Sequence, residues 1–259
     1  MLPKPTIQFL RSLKIRKFRE ESRSFTVEGT KSVTDILNSH LNIRTIYASQ
    51  SWLKKYAHQL SDITDRCVPV SEKEMNAISS LTTPQEVLGV VEIPETLMES
   101  SEMAGELVLM LDEIRDPGNL GTIIRTADWF GIRFIVCSSG CVDAYNPKVV
   151  QATMGSIARV QMHYTDLGDF LRNHNPSLTV YGCLLDGSDI RTTRLEQQGI
   201  ILLGNESTGI SPHLLPFIQV KLTIPSFPHS FGNSSGAANS LNAAQACSIV
   251  CFAFRNPLQ

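Results

Sequence analysis

The stretch LDEIRDPGNLGTIIRTADWFG, Leu111–Gly131, decides the fold because a strand, a loop and a helix follow one another within it. The apolar run 108–111 predicts a buried strand, and the turn residues DPGN end that strand. We expect Asn119 to cap the following helix and Arg125 to lie on its outer face, opposite an apolar face. This order of elements is typical of a ligand crevice at the carboxyl end of a sheet strand. The predicted apolar face consists of Leu120, Ile123, Ile124 and Ala127.

The composition indicates a soluble globular protein with room for two domains. The chain has 259 residues, of which 42% are hydrophobic and 19% charged, enough to bury a substantial core. No apolar run approaches the roughly 20 residues of a membrane helix, so we expect no membrane association. The N-terminal sequence lacks the apolar core of a secretion signal, and the cytoplasm is the expected compartment.

The cysteines and histidines show no metal-binding pattern. The six cysteines form no CxxC pair, and the six histidines show no ligand spacing. Cys247 and Cys251 are one helical turn apart in an apolar segment, which favours buried side chains over a metal or redox role. We therefore expect no metal site.

The charge is unevenly distributed along the chain. The net charge is -2, yet residues 1–23 contain seven basic and two acidic residues. We expect Ile7–Glu21 to form a basic helix, which either contacts RNA phosphates or is only a solvated face. Charge alone does not separate these two interpretations.

Residues 1–95 are predicted to form a small α/β domain because strand and helix patterns alternate there. Ser71-Glu72-Lys73-Glu74 is the start of a capping box. The polar, acidic stretch that follows the domain predicts a linker over 96–105. The expected strands are 25–27, 45–48, 68–70 and 87–93, and the expected helices are 33–37, 53–60 and 71–79.

Residues 106–259 continue the alternation and predict a parallel sheet covered by helices on both faces. Besides 108–111, the expected strands are 134–137, 179–184, 199–203 and 221–225, and the expected helices are 148–158, 167–173 and 240–254. The loop GNESTGIS, 204–211, follows one of these strands, and its glycines would allow a close backbone approach to a ligand. It lacks the Gly-Lys-Ser/Thr ending of a phosphate loop, and no GxGxxG occurs.

Three motifs follow one another along the chain: Asn119, Gly121 and Arg125; Gly204, Glu206 and Gly209; and Ile224-Pro225 followed by Ser240-Leu241-Asn242. In this order they resemble the motifs of the SpoU (TrmH-type) branch of the SPOUT methyltransferases. In the N-terminal domain, Val27-Glu28-Gly29 with Lys31, and Thr83-Pro84-Gln85, carry a second resemblance. This domain resembles the small ribosomal-protein-like domain that many of these enzymes use to grip RNA.

The resemblance implies a C-terminal trefoil knot, a homodimer and methyl transfer from S-adenosylmethionine to a ribose 2'-hydroxyl of structured RNA, with ribosomal RNA favoured over transfer RNA. Because a guanidinium stays protonated, Arg125 would stabilise developing charge rather than act as a base. The residues expected to orient Arg125 and the ribose are Asn119, Glu206, Ser240 and Asn242. Those expected to hold the cofactor are Leu203, Gly204, Asn205, Gly209, Ile224, Pro225 and Leu241.

Two other classes of protein remain as alternatives. A non-catalytic RNA-binding protein would not need Arg125, Glu206 and Asn242 together. A nucleotide-dependent Rossmann enzyme would need a phosphate-binding glycine loop. The long connection 226–238 departs from the family pattern, and it is either a lid that stacks Phe227 and Phe231 on a base or a tolerated insertion.

Overall fold

The computed structural model describes residues 1–95, 100–174, 176–227 and 240–256. The chain folds into two compact units. The first unit comprises Met1–Glu95 together with Asp143–Arg159, and the second comprises Thr96–Val142 and Val160–Gln259. The sequence pattern predicted an uninterrupted second domain over 106–259, whereas this inner segment packs with the first unit.

The first unit is built on a mixed sheet with the strand order β1-β4-β2-β3. β4 runs antiparallel to β1 and β2, and β3 pairs with β2 in parallel. Its strands are β1 (Ser24–Glu28), β2 (Ile43–Ala48), β3 (Cys67–Pro69) and β4 (Val87–Glu92). Its helices are α1 (Lys4–Ser12), α2 (Arg16–Ser22), α3 (Thr30–Leu37), α4 (Gln50–Lys55) and α5 (Glu72–Ile78), with a 3-10 helix at Ala57–Arg66.

The prediction of one basic helix over Ile7–Glu21 is wrong, because α1 ends at Ser12 and α2 begins at Arg16. In a continuous helix the side chains of Leu13 and Arg19 would point about 120° apart. The break allows both side chains to be buried, at 0% and 2% exposure. Arg19 Nη1 donates to the Leu13 carbonyl oxygen at 2.8 Å, and Arg19 Nε donates to Asp143 Oδ2 at 3.0 Å.

Most basic side chains of residues 1–23 have partners within the first unit, but only Arg19 is buried, and the ion pairs of Arg16, Lys17 and Arg23 are exposed. Arg11 and Lys14 donate to main-chain oxygens at the end of α5, and Arg19 pairs with Asp143. The remaining ion pairs are Arg16–Glu20, Lys17–Glu21 and Arg23–Glu95.

The second unit contains the predicted parallel sheet, with the strand order β10-β8-β9-β5-β6-β7. Every pair of neighbouring strands in this order is parallel. The strands are β5 (Leu107–Leu111), β6 (Phe134–Cys137), β7 (Gln161–Tyr164), β8 (Val180–Asp189), β9 (Gly199–Leu203) and β10 (Val220–Thr223). The helices of this unit are α6 (Pro117–Trp129), α8 (Leu167–Asn173) and α9 (Ala243–Arg255), whereas α7 (Pro147–Thr153) belongs to the first unit.

Three features of these elements differ from the predictions. The helix expected over 148–158 is wrong, because Met154 and Gly155 adopt left-handed backbone angles, with φ of 53° and 95°, and a short 3-10 helix follows. The partly polar edge strand β7 was not predicted. β8 continues to Asp189, beyond the expected end at residue 184.

Candidate active site

The N-terminus of α6 is capped by Asp116. The prediction that Asn119 caps this helix is wrong. Pro117 occupies the first helical position, and the Asp116 carboxylate accepts the Asn119 main-chain N–H at 2.8 Å. The predicted apolar face is confirmed, because Leu120, Ile123, Ile124 and Ala127 are fully buried. This cap leaves the Asn119 side chain free for other contacts.

Helices α6 and α9 run side by side in the same direction. Asn242 and Asn119 meet at their N-terminal ends, with 2.8 Å between Asn242 Nδ2 and Asn119 Oδ1. Farther along, the hydroxyls of Thr126 and Ser248 lie 3.1 Å apart, and Arg255 Nε donates to the Phe130 carbonyl oxygen at 2.9 Å. The first and third predicted motifs are therefore brought together at one end of this helix pair.

A directed chain of hydrogen bonds connects three predicted residues. Asn242 Oδ1 accepts the main-chain N–H groups of Ala244 and Gln245 at 3.0 and 3.3 Å, so its Nδ2 must face Asn119. Asn119 then presents its own Nδ2 to the Glu206 carboxylate. Because main-chain donors fix the first amide, the orientation of the second amide follows.

The loop 204–211 is held by its own main chain. Asn205 and Gly209 exchange two main-chain hydrogen bonds, of 3.0 and 2.9 Å, and Gly209 has φ of +68°. A Cβ on Gly204 would lie 2.3 Å from the Gly209 carbonyl carbon. Any side chain at position 204 would therefore clash with the other arm of the loop. The sequence pattern predicted a different reason for this glycine, a close approach of the backbone to a ligand. Asn205 Nδ2 anchors the loop to the Glu113 carbonyl oxygen at 2.8 Å.

A cavity of about 470 Å³ opens beside this loop, between the carboxyl ends of β8, β9 and β10 and the first turns of α9. Asp186 and Glu206 provide its carboxylates, and no lysine or arginine is among its described lining residues. Burial raises the pKa of Cys183, a further lining residue, to about 12. Of the predicted residues, those lining the cavity are Leu203, Gly204, Asn205, Glu206, Gly209, Ile224, Ser240 and Leu241.

Sequence reasoning missed the wall that the end of β8 contributes. Leu184, Leu185, Asp186 and Ile190 line the cavity on that side. They were missed because the strand was expected to end at residue 184, whereas β8 continues to Asp189. The available signal was topological, because the residues after one parallel strand belong to the same crevice as those after its neighbour. Pro225, which was predicted to hold the cofactor, is not among the lining residues.

Arg125 is exposed and lies apart from the hydrogen-bonded chain. It follows Asn119 by six residues, which corresponds to about 9 Å along the helix and about 240° around it. Within the described ranges, Arg125 forms no hydrogen bond or ion pair. It shares its helix face with Trp129, which is 84% exposed.

Cys247 and Cys251 are buried as predicted, with their sulfurs 3.8 Å apart. Among the residues that the structure describes, no group of three His, Cys, Asp or Glu side chains is arranged to hold a metal, and no helix is long and apolar enough to cross a membrane. Of the predicted lid, residues 228–238 lie outside the described residues.

The sequence profile of the SpoU rRNA Methylase family matches residues 106–252, which contain the hydrogen-bonded chain and the cavity. The chain belongs to this family. A second profile, the MRM3-like substrate binding domain, matches residues 4–89. This family member is 28% identical to the Bacillus subtilis 23S rRNA (guanosine(2553)-2'-O)-methyltransferase RlmP, over 95% of this chain and 94% of that protein.

Solved structures of similar proteins agree with this family. The AdoMet-bound rRNA methyltransferase from Sinorhizobium meliloti has a TM-score of 0.85 and 31% identity, covering 100% of this chain and 97% of that one. A TrmH-family structure from Porphyromonas gingivalis has a TM-score of 0.82 and 37% identity, covering 98% of both chains. The likeness extends over both units of this SpoU-family chain.

Proposed function

We propose that this protein transfers a methyl group from S-adenosylmethionine to a ribose 2'-hydroxyl of ribosomal RNA. The observation that carries the proposal is the chain Asn242–Asn119–Glu206, which ends at the edge of the cavity. Family membership and the similarity to RlmP, a 23S rRNA 2'-O-methyltransferase, support the reaction and the class of RNA.

The cavity suits this cofactor in size and charge. Its volume of about 470 Å³ falls within the range of roughly 300–1,000 Å³ for small-molecule sites. The lining is largely apolar, which suits an adenosine. Of its two carboxylates, Asp186 is paired with Lys221 at 3.3 Å, so Glu206 is the one that would attract a cationic group of the cofactor. When bound, S-adenosylmethionine supplies an electrophilic methyl group.

The protein's own side chains would position and stabilise the attacking ribose. A neutral hydroxyl is a poor nucleophile, so the reaction needs an oriented oxygen and a cation near its developing negative charge. Arg125 can provide that cation and contact an adjacent phosphate in a bidentate manner. Asn119, Glu206 and Asn242 would fix the loop at the cavity mouth, and Ser240 would contribute a hydroxyl there.

Methyl transfer in vitro tests this proposal. The purified protein is incubated with ribosomal RNA and S-adenosylmethionine that carries an isotopic methyl label, and the RNA is then digested to nucleosides. The label should appear in a 2'-O-methyl nucleoside. Label in a methylated base, or RNA binding without transfer, would refute the proposed reaction, and the second result would identify a non-catalytic RNA-binding protein.

We also propose the trefoil knot and a homodimer. The ends of β8 and β10 and the start of α9 surround one cavity, an arrangement compatible with a knotted C-terminal segment. α6 and α9 expose Trp129, Ile249 and Phe252 at 84%, 41% and 59%. A partner covering these side chains would border Arg125, which shares the Trp129 face, and could bring it to a complete site.

The first unit is proposed to bind the RNA, as its family profile suggests. Since the N-terminal basic residues are largely engaged, we assign phosphate contacts to Lys54 and Lys55, which are exposed beside the half-buried Tyr56. Charge reversal of both lysines should weaken RNA binding and make its salt dependence shallower. The control is Lys17→Glu, because Lys17 is already paired with Glu21. Equal salt slopes for wild type and the Lys54/Lys55 variant would contradict this assignment.

A further inference from the structure

The chain leaves β8 and β10 at adjacent points on the rim of the cavity. Thr223 of β10 pairs with Asp189 of β8, and the Ile190 main-chain N–H donates to the Thr223 carbonyl oxygen at 3.0 Å. Ile190 and Ile224, the next residues of the two segments, both line the cavity. The side chains that follow are therefore held close to one another beside the candidate cofactor site.

Arg191 directly follows the cavity-lining Ile190, and a fork of hydrogen bonds to Asp189 holds its side chain. Its Nε lies 3.0 Å from Asp189 Oδ1, its Nη2 lies 2.6 Å from Asp189 Oδ2, and its main-chain N–H also donates to Oδ1, at 2.9 Å. These bonds hold the pKa of Asp189 below its ordinary value, so the carboxylate stays charged and keeps the guanidinium in place.

The guanidinium covers one face of the Phe227 ring. Arg191 Cζ lies 5.3 Å from the ring centroid, within the range of a cation–π contact. Phe227 is nevertheless 76% exposed, so the contact leaves much of the ring open to solvent. A single exposed aromatic is ordinary on a protein surface. Phe227 differs in that Arg191 lies over one face of its ring and that it follows the cavity-lining Ile224 by three residues.

We propose that Phe227, oriented by Arg191, is a stacking platform for a nucleobase ring at the cavity rim. A base that stacks on the open face of an aromatic gains binding energy whatever its identity, because every base has a π-face. Two sources offer this chemistry, the adenine of the cofactor and a base of the RNA at the methylation site. The inference rests on the proposed function, since only a methyltransferase of RNA brings both to this cavity.

Substitutions at Phe227 test the platform, with binding of each source measured separately. The variants are Phe227→Leu, which removes the ring, and Phe227→Trp, which keeps an aromatic face. Phe18→Leu is the matched control, because Phe18 is 40% exposed in α2 of the first unit. Calorimetry with S-adenosylmethionine alone reports adenine stacking, and KM for RNA at saturating cofactor reports stacking of an RNA base.

We expect Phe227→Leu to weaken one of these two constants by roughly 5- to 100-fold, the range of base–aromatic stacking. Phe227→Trp should keep it within a few fold. Phe18→Leu, in the unit proposed to bind RNA, should leave the Kd for S-adenosylmethionine unchanged. A higher Kd for S-adenosylmethionine identifies the cofactor adenine, whereas a higher KM for RNA alone identifies an RNA base.

Arg191→Gln tests whether Arg191 acts through the Phe227 ring. It should weaken the same constant in the wild-type background and cause no further loss in Phe227→Leu, because the two residues act through one ring. Unchanged constants in Phe227→Leu, or equal losses in the Leu and Trp variants, would overturn the platform. If wild-type protein bound S-adenosylmethionine but methylated no RNA, the proposed function would fail, while the calorimetric arm would still decide on adenine stacking.

Discussion

At the scale of single residues, Asn119 and Asn242 show which functional details the sequence could predict. Their membership of one site was predicted from the motif resemblance, and the structure brings them within hydrogen-bonding distance. The cap role given to Asn119 was wrong, because Asp116 followed by Pro117 is a stronger local start signal for α6. The direction of the hydrogen bonds depends on contacts between residues more than 80 positions apart, which no local pattern encodes.

Asn242→Asp separates capping from positioning. An aspartate keeps the oxygen that accepts the first N–H groups of α9, but it cannot donate to Asn119 and would place a second carboxylate near Glu206. Methyl transfer should fall roughly 10- to 100-fold through misplacement at the site, while the melting temperature changes little. Asn146→Asp, at the corresponding cap of α7, should change neither quantity. A comparable loss of activity in this control would contradict a specific positioning role for Asn242.

Arg125→Ala tests charge stabilisation directly. Removing the guanidinium should slow methyl transfer by roughly 10²- to 10⁴-fold and leave the Kd for S-adenosylmethionine within a few fold. Arg125→Lys should recover little, because it keeps the charge but loses the planar fork. Single-turnover rates and calorimetry provide the two measurements. Near-normal rates in the alanine variant would exclude Arg125 from the reaction.

At the scale of helices and strands, strongly patterned elements were predicted well and context-dependent ones were not. The apolar strands β5, β6 and β9 lie at or close to their predicted bounds, and the capping box of α5 is present. The basic helix was predicted without its break, since the buried Arg19–Asp143 pair joins residues 124 positions apart. β8 was predicted to be too short because its second half alternates polar residues and glycine, and its pairing with β10 there is tertiary.

The α5 capping box predicts a specific acid sensitivity of the first unit. Hydrogen bonds from Ser71 and then from the Leu2 N–H lower the pKa of Glu74 to about 2. Since the folded-state pKa lies below the unfolded value of about 4.3, this stabilisation is complete above that value and is lost as the pH falls toward 2. Glu74→Gln should therefore flatten the decrease of the melting temperature between about pH 5 and about pH 2.5. Glu72→Gln, in the same helical turn, serves as the control and should retain the wild-type slope.

At the scale of the whole molecule, the segment Asp143–Arg159 was assigned to the second domain by sequence order, whereas it packs with the first unit. Sequence patterns carry no information about which unit an inner segment joins. Deleting residues 1–95 would uncover the buried side chains of α7, so functions of the first unit are better tested by point substitutions in the full chain.

The proposed dimer predicts a measurable change in mass. Trp129→Asp places a charge in the exposed apolar surface formed by α6 and α9, and it should convert a homodimer into a monomer at micromolar concentration. Light scattering measures the mass of both proteins. Ile15→Asp provides the control, because Ile15 is 55% exposed in the first unit, outside this surface. A monomeric wild-type protein would contradict the dimer.

The central claim is that this chain methylates ribose 2'-oxygens of ribosomal RNA, and mapping of 2'-O-methyl groups in RNA tests it most directly. Ribosomal RNA from cells that lack the gene is compared with RNA from cells complemented with the wild-type gene or with Arg125→Ala. The account predicts one ribosomal 2'-O-methyl group that is absent without the gene, returns with the wild-type gene and stays absent with Arg125→Ala. Identical methylation in all three RNA samples would contradict it.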